Sequence, residues 1–136
     1  MQRLGWLLYV LALGAAACSS NDHLTPVTPT TPTTTVDTFS GTLNPSGGRT
    51  HTFATVSSGA VNAVLTSISP DSSLVVGLSL GTWNGNACQT VLAKDDAVQG
   101  SSVVANANAA GNLCARIYDV GNLKEAISYT IEVRHP

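Results

Sequence analysis

From Asp37 onward the chain breaks into short stretches rich in Val, Ile, Leu, Thr and aromatic residues, each closed by Gly, Pro, Asn or Ser. None of them repeats apolar residues at the 3.6-residue period of an amphipathic helix. Parallel strands need long crossovers, usually helical, so strands joined by such short breaks pair antiparallel. Eight strands are predicted, at 38–43, 50–56, 60–68, 74–83, 87–93, 101–107, 112–119 and 126–134. The breaks include Asn44-Pro45-Ser46-Gly47-Gly48, Asn84-Gly85-Asn86, residues 95–100 and Val120-Gly121-Asn122. Two strands alternate cleanly. Leu74, Val76, Leu78 and Leu80 share one face, with Val75, Gly77, Ser79 and Gly81 on the other; Ile127, Tyr129, Ile131 and Val133 stand opposite Ser128, Thr130, Glu132 and Arg134. That period predicts sheets with one buried and one wet face, which places Ser79 on the solvent side. The architecture expected is all-β, an antiparallel sandwich or small barrel.

Charge is scarce. Asp, Glu, Lys and Arg make up 10% of the chain, against a typical quarter. The basic residues beyond the first few positions, Arg49, Lys94, Arg116, Lys124 and Arg134, are scattered and outnumbered by eight acidic ones. Nucleic acid is therefore not an expected partner, and no polybasic membrane patch is present.

The N-terminus has a different character. Arg3 precedes the apolar run Leu4 to Leu13, and Gly14-Ala15-Ala16-Ala17-Cys18 follows. A basic start, a short apolar core and small residues at a cut are the layout of a secretory signal. The core is shorter than the roughly 20 residues a membrane-spanning helix requires. A Cys directly after the small residues resembles the lipobox of bacterial lipoproteins, whose Cys is diacylated before cleavage. Ala15 stands where that family favours Leu. The expectation is cleavage after Ala17 and a lipid anchor on Cys18. The chain then belongs in a bacterial cell envelope, and Ser19-Ser20 resembles an outer-membrane address in a two-membrane host. Residues 21–36, NDHLTPVTPTTPTTTV, carry too little apolar content for a core, and Pro26, Pro29 and Pro32 favour an extended spacer. Three segments follow: signal 1–17, lipidated linker 18–37 and β-domain 38–136.

Export also bears on the other cysteines. Cys88 and Cys114 would meet an oxidising compartment, where a pair in a small domain bonds. No neighbouring His completes a zinc site. A disulfide between them is expected.

Several runs carry a family resemblance: Thr38-Phe39-Ser40-Gly41-Thr42-Leu43, then His51-Thr52-Phe53, then Gly59-Ala60-Val61 leading to Leu65-Thr66. They are joined by Cys114-Ala115-Arg116-Ile117-Tyr118-Asp119-Val120-Gly121 and the strand from Tyr129 to Val133. Together they resemble the bacterial pre-peptidase C-terminal domain. That likeness covers most of the β-domain and implies a jelly-roll β-sandwich. Such domains are usually appended to secreted proteases, and some relatives bind collagen or sugars. The Asp-rich calcium loops of some relatives have no counterpart here.

Few residues are candidates for chemistry. Gly77-Leu78-Ser79-Leu80-Gly81 matches the Gly-x-Ser-x-Gly pattern of hydrolase nucleophiles, but that motif needs a strand-to-helix turn and a positioned base. Inside a strand, with nothing linking His51 or His135 to it, it predicts no catalysis. Asp95-Asp96 is the only acidic doublet and a weak metal candidate in a predicted loop; no cofactor is implied. Asp119 is expected to shape the turn after it. Trp83 beside Asn84 and Asn86, together with Tyr118, is the candidate ligand contact, since aromatics stack on sugar rings and amides bond their hydroxyls; the alternative is that Trp83 caps the core at a hairpin end. The expectation is a non-enzymatic, membrane-anchored binding or spacer module. A glycan- or matrix-binding adhesin and a subunit of an envelope complex with a protein partner are the alternatives.

Overall fold

A computed structural model describes residues 26–136 of the chain. The predicted signal segment and Cys18 lie outside the described residues. All eight strands fall within Thr31–Pro136, and residues 26–30 are exposed and irregular.

The strands are β1 (Thr35–Leu43), β2 (Gly48–Thr55), β3 (Gly59–Ser69), β4 (Val76–Trp83), β5 (Cys88–Ala97), β6 (Ser102–Ala107), β7 (Gly111–Tyr118) and β8 (Ile127–His135). They form two four-stranded antiparallel sheets, ordered β1-β8-β3-β6 and β2-β7-β4-β5. Only β4 and β5 are neighbours both in sequence and in a sheet; every other connection crosses between the sheets. This is a jelly-roll sandwich, as expected. No helix occurs among the described residues.

The core lies between the sheets. On β8, Ile127, Tyr129, Ile131 and Val133 are buried while Ser128 and Arg134 are exposed, so the predicted alternation holds there. On β3, Val61, Ala63 and Leu65 point inward, and an irregularity between Leu65 and Ser67 shifts the phase so that Ile68 also reaches the core. Thr66 donates its hydroxyl hydrogen to the carbonyl of Thr130 at 3.1 Å. Each fully buried Leu, Ile or Val contributes about 1.5–3 kcal/mol relative to exposure.

Most strand ends shift by one or two residues from the sequence expectation, and three of the differences bear on the site. β1 begins at Thr35 rather than residue 38, because Thr35, Val36 and Asp37 pair with His135, Arg134 and Val133. β5 runs through Asp95 and Asp96 to Ala97, so the acidic doublet is in a strand and not a loop. β4 starts at Val76 and is buried on both faces as far as Gly81. The expected wet face of β4 is thus incorrect: Ser79 is 1% exposed.

Candidate functional site

Two glycines explain why the outer face of β4 is covered. Gly77 pairs with Tyr118 of β7. A Cβ on Gly77 would meet the Tyr118 ring at 2.1 Å, so the ring lies flat over the strand. At Gly81 the intruder is backbone: an added Cβ would lie 2.1 Å from the Gln89 carbonyl oxygen and 2.7 Å from its carbon. The start of β5 therefore folds across β4. This brings Cys88 of β5 to Cys114 of β7, and the two form the expected disulfide, Cα–Cα 5.8 Å, over the strand between them. Ser79 is sealed between these covers, and its hydroxyl has no hydrogen-bond partner. The Gly-x-Ser-x-Gly run is accounted for by packing at both glycines.

The crossing shapes a surface at the end of β4. Asn84 Oδ1 accepts from the backbone N–H of Asn86 at 2.9 Å and of Ala87 at 2.7 Å, which closes the β4–β5 turn. Trp83 stands opposite Cys88. Thr50 of β2 and Arg116 of β7 are register partners. Thr50, Trp83, Asn86, Ala87, Cys88 and Arg116 together line an open depression of about 440 Å³. Of the residues expected to contact a ligand, Trp83 and Asn86 line it directly. The carbonyl of Asn84 is committed to the turn.

Tyr118 lies beside this depression rather than in its lining. Its hydroxyl donates to the Asp95 carboxylate. Burial, then that hydrogen bond, pushes the phenol up to about 12. The Arg116 guanidinium sits over the ring, Cζ 5.3 Å from the centroid, a cation–π contact. Asp96 pairs instead with Lys94 at 3.0 Å, and that hydrogen bond and charge hold its carboxyl below the usual range. The two carboxylates thus serve different partners, and among the described residues no group of three or more His, Cys, Asp or Glu converges as a metal site would require. Asp119 shapes its turn as expected. Its carboxylate accepts from the backbone N–H of Ser46, Gly121, Asn122 and Leu123, and those bonds, Ser46 first, lower its pKa.

Sequence reasoning did not foresee two histidine contacts. His51 of β2 stacks on Phe39 of β1 at 4.8 Å and shares a 2.8 Å hydrogen bond between Nε2 and the Tyr129 hydroxyl of β8. His135 Nε2 lies 3.0 Å from Asp37 Oδ2. Neither lies on β4 with Ser79. Burial, and secondly the nearby Arg49 charge, depress the pKa of His51. Between that value and the unfolded value of about 6.5, the unfolded chain binds more protons. This contribution to stability is full above about pH 6.5 and is lost as pH falls toward the folded value. The urea midpoint should therefore drop between about pH 7.5 and about pH 5, and His51→Gln should remove that part of the slope. Equal slopes in the two proteins would exclude His51 as its source.

No protein-family model matches the chain, and no curated protein matches it.

Proposed function

We propose that the protein is an exported bacterial envelope lipoprotein, anchored through acyl chains on Cys18, whose jelly-roll domain is a non-enzymatic recognition module. The Thr/Pro tract at 21–36 would space that domain from the membrane. The resemblance to pre-peptidase C-terminal domains agrees with the jelly-roll topology. The observation that carries the recognition reading is the depression around Trp83, where an indole, a hydroxyl from Thr50 and an amide from Asn86 border one open surface. An amphipathic aromatic beside hydrogen-bonding side chains suits a ring with one apolar face and an edge of hydroxyls. The ligand class proposed is a glycan. The non-enzymatic reading draws support from Ser79, which is enclosed within a strand, and from the commitment of His51 and His135 to Tyr129 and Asp37.

A glycan array probed with the mature protein tests this. Binding to a defined subset, lost in Trp83→Ala while the melting temperature is kept, is the expected result. Uniform failure to bind, or binding untouched by Trp83→Ala, would remove the glycan reading.

A further inference from the structure

Resting on that recognition reading, we infer that the ligand is an anionic saccharide, and that Arg116 reads a carboxylate or sulfate borne on the ring seated at Trp83.

Arg116 is held in place by the strands around it. Its side chain leaves the outer face of β7 and lies along the sheet. A Cβ on Gly48 would meet its Nη2 at 2.7 Å and its Nε at 3.2 Å, so the guanidinium lies close against that backbone. The Tyr118 ring supports it from another side, its centroid 5.3 Å from Cζ. The Tyr118 ring is itself seated on Gly77 and tied to Asp95. A long cationic side chain positioned by these contacts has less rotamer freedom to lose on binding.

The second observation is what Arg116 does not do. Arg49 donates from Nε to the Thr42 carbonyl at 3.1 Å. Lys94 pairs with Asp96, and Arg134 lies 3.8 Å from Glu132. Among the described residues the Arg116 guanidinium has neither an ion pair nor a hydrogen bond, its neighbour contact being the Tyr118 ring. The nearby carboxylate of Asp95 accepts from Tyr118 instead. The planar fork of donors that matches a carboxylate or sulfate is therefore unspent.

The third is position. Arg116 and Trp83 line the same depression, together with Thr50, the register partner of Arg116 on β2, and Asn86 of the β4–β5 turn. A sugar ring stacked on the indole would offer hydroxyls to Thr50 and Asn86 and an acidic substituent to Arg116. The formal charge of the chain is −2, so the cation acts locally and not through a broad positive field. Affinity should then depend on one charge contact, and on salt accordingly.

The test uses the fluorescence of the mature full chain. Trp6 lies in the predicted signal, so Trp83 is the sole tryptophan of the mature protein and reports directly on the depression. Three oligosaccharides of equal length serve as probes: a uronate form, its carboxyl-reduced neutral counterpart and a sulfated form. At least one acidic form should bind about tenfold more tightly than the neutral one, the scale of a charged hydrogen bond. Comparison of the uronate with the sulfated form identifies the acidic group. The gap should narrow as salt rises, vanish in Arg116→Gln and survive in part in Arg116→Lys, which keeps the charge without the fork. Lys124→Gln, at a different surface, should leave it intact. Equal affinity for acidic and neutral probes, or a gap that persists in correctly melting Arg116→Gln, would overturn the charge inference and leave glycan recognition standing. Failure of all three probes, together with a silent array, would overturn both.

Discussion

Gly81→Ala is expected to lower the unfolding free energy by about 3 kcal/mol, a large fraction of the stability of a domain this size. The reason is local and steric. The new methyl would lie 2.1 Å from the Gln89 carbonyl oxygen and 3.0 Å from the Thr90 Cα, all backbone, so no side chain can rotate away. β5 would have to rise off β4. The Cys88–Cys114 bond opposes that movement, because Cys88 is the residue before Gln89 and is tied across β4 to β7. Removing the bridge with Cys88→Ala/Cys114→Ala should cost about 3–4 kcal/mol by loop-closure entropy over a separation of 26 residues. It should also free β5 to move. The triple variant is therefore expected to lose less than the sum of the two effects, with a coupling on the order of 1 kcal/mol. Urea unfolding of the four proteins measures it. Gly111→Ala is the control: nothing lies within 4 Å of the position its methyl would take, and a change within about 0.5 kcal/mol is expected. Strict additivity would show that the disulfide does not hold β5 against Gly81.

Cys18→Ser should move the protein from the membrane fraction to the soluble fraction and abolish labelling by a radioactive fatty acid. On the lipoprotein proposal all membrane attachment passes through acyl chains on that thiol. A buried acyl chain contributes about 0.8 kcal/mol per methylene, so two chains hold stably where one does not, and a serine at this position receives none. Cys88→Ala/Cys114→Ala should keep the label, because those thiols are joined to one another. The expected signature is thus specific to one of three cysteines. An unchanged membrane fraction in Cys18→Ser, or label retained there, would refute the anchor. Either result leaves the glycan question untouched, since recognition belongs to residues of the sandwich.

Much of the architecture was legible because it is recorded locally. The alternation from Ile127 to Val133 names one buried face without reference to the rest of the chain, and the Gly, Pro and Asn breaks mark where strands stop. Asp119 and Asn84 are readable for the same reason, since their side chains cap backbone within four residues. The Cys88–Cys114 pair followed from there being only two cysteines beyond Cys18. Other features had no local signal. Asp95 and Asp96 read as a loop because neighbouring carboxylates disfavour strands, yet Tyr118 and Lys94 each take one of them.

The candidate groove divides the same way. Trp83 and Asn86 stood out from residue type beside a turn, whereas Thr50 and Arg116 are 66 residues apart in sequence and meet only through the register of β2 on β7. The sequence by itself determined eight antiparallel strands, the core face of two of them, β4 and β8, and the cysteines available to bond. Tertiary structure alone decided what covers the second face of β4 and which cation stands beside Trp83. A period of two separates the faces of a strand, but what lies over the outer face depends on how distant strands pair. Here the Gly77 and Gly81 positions, which read as wet, admit a ring and a crossing backbone.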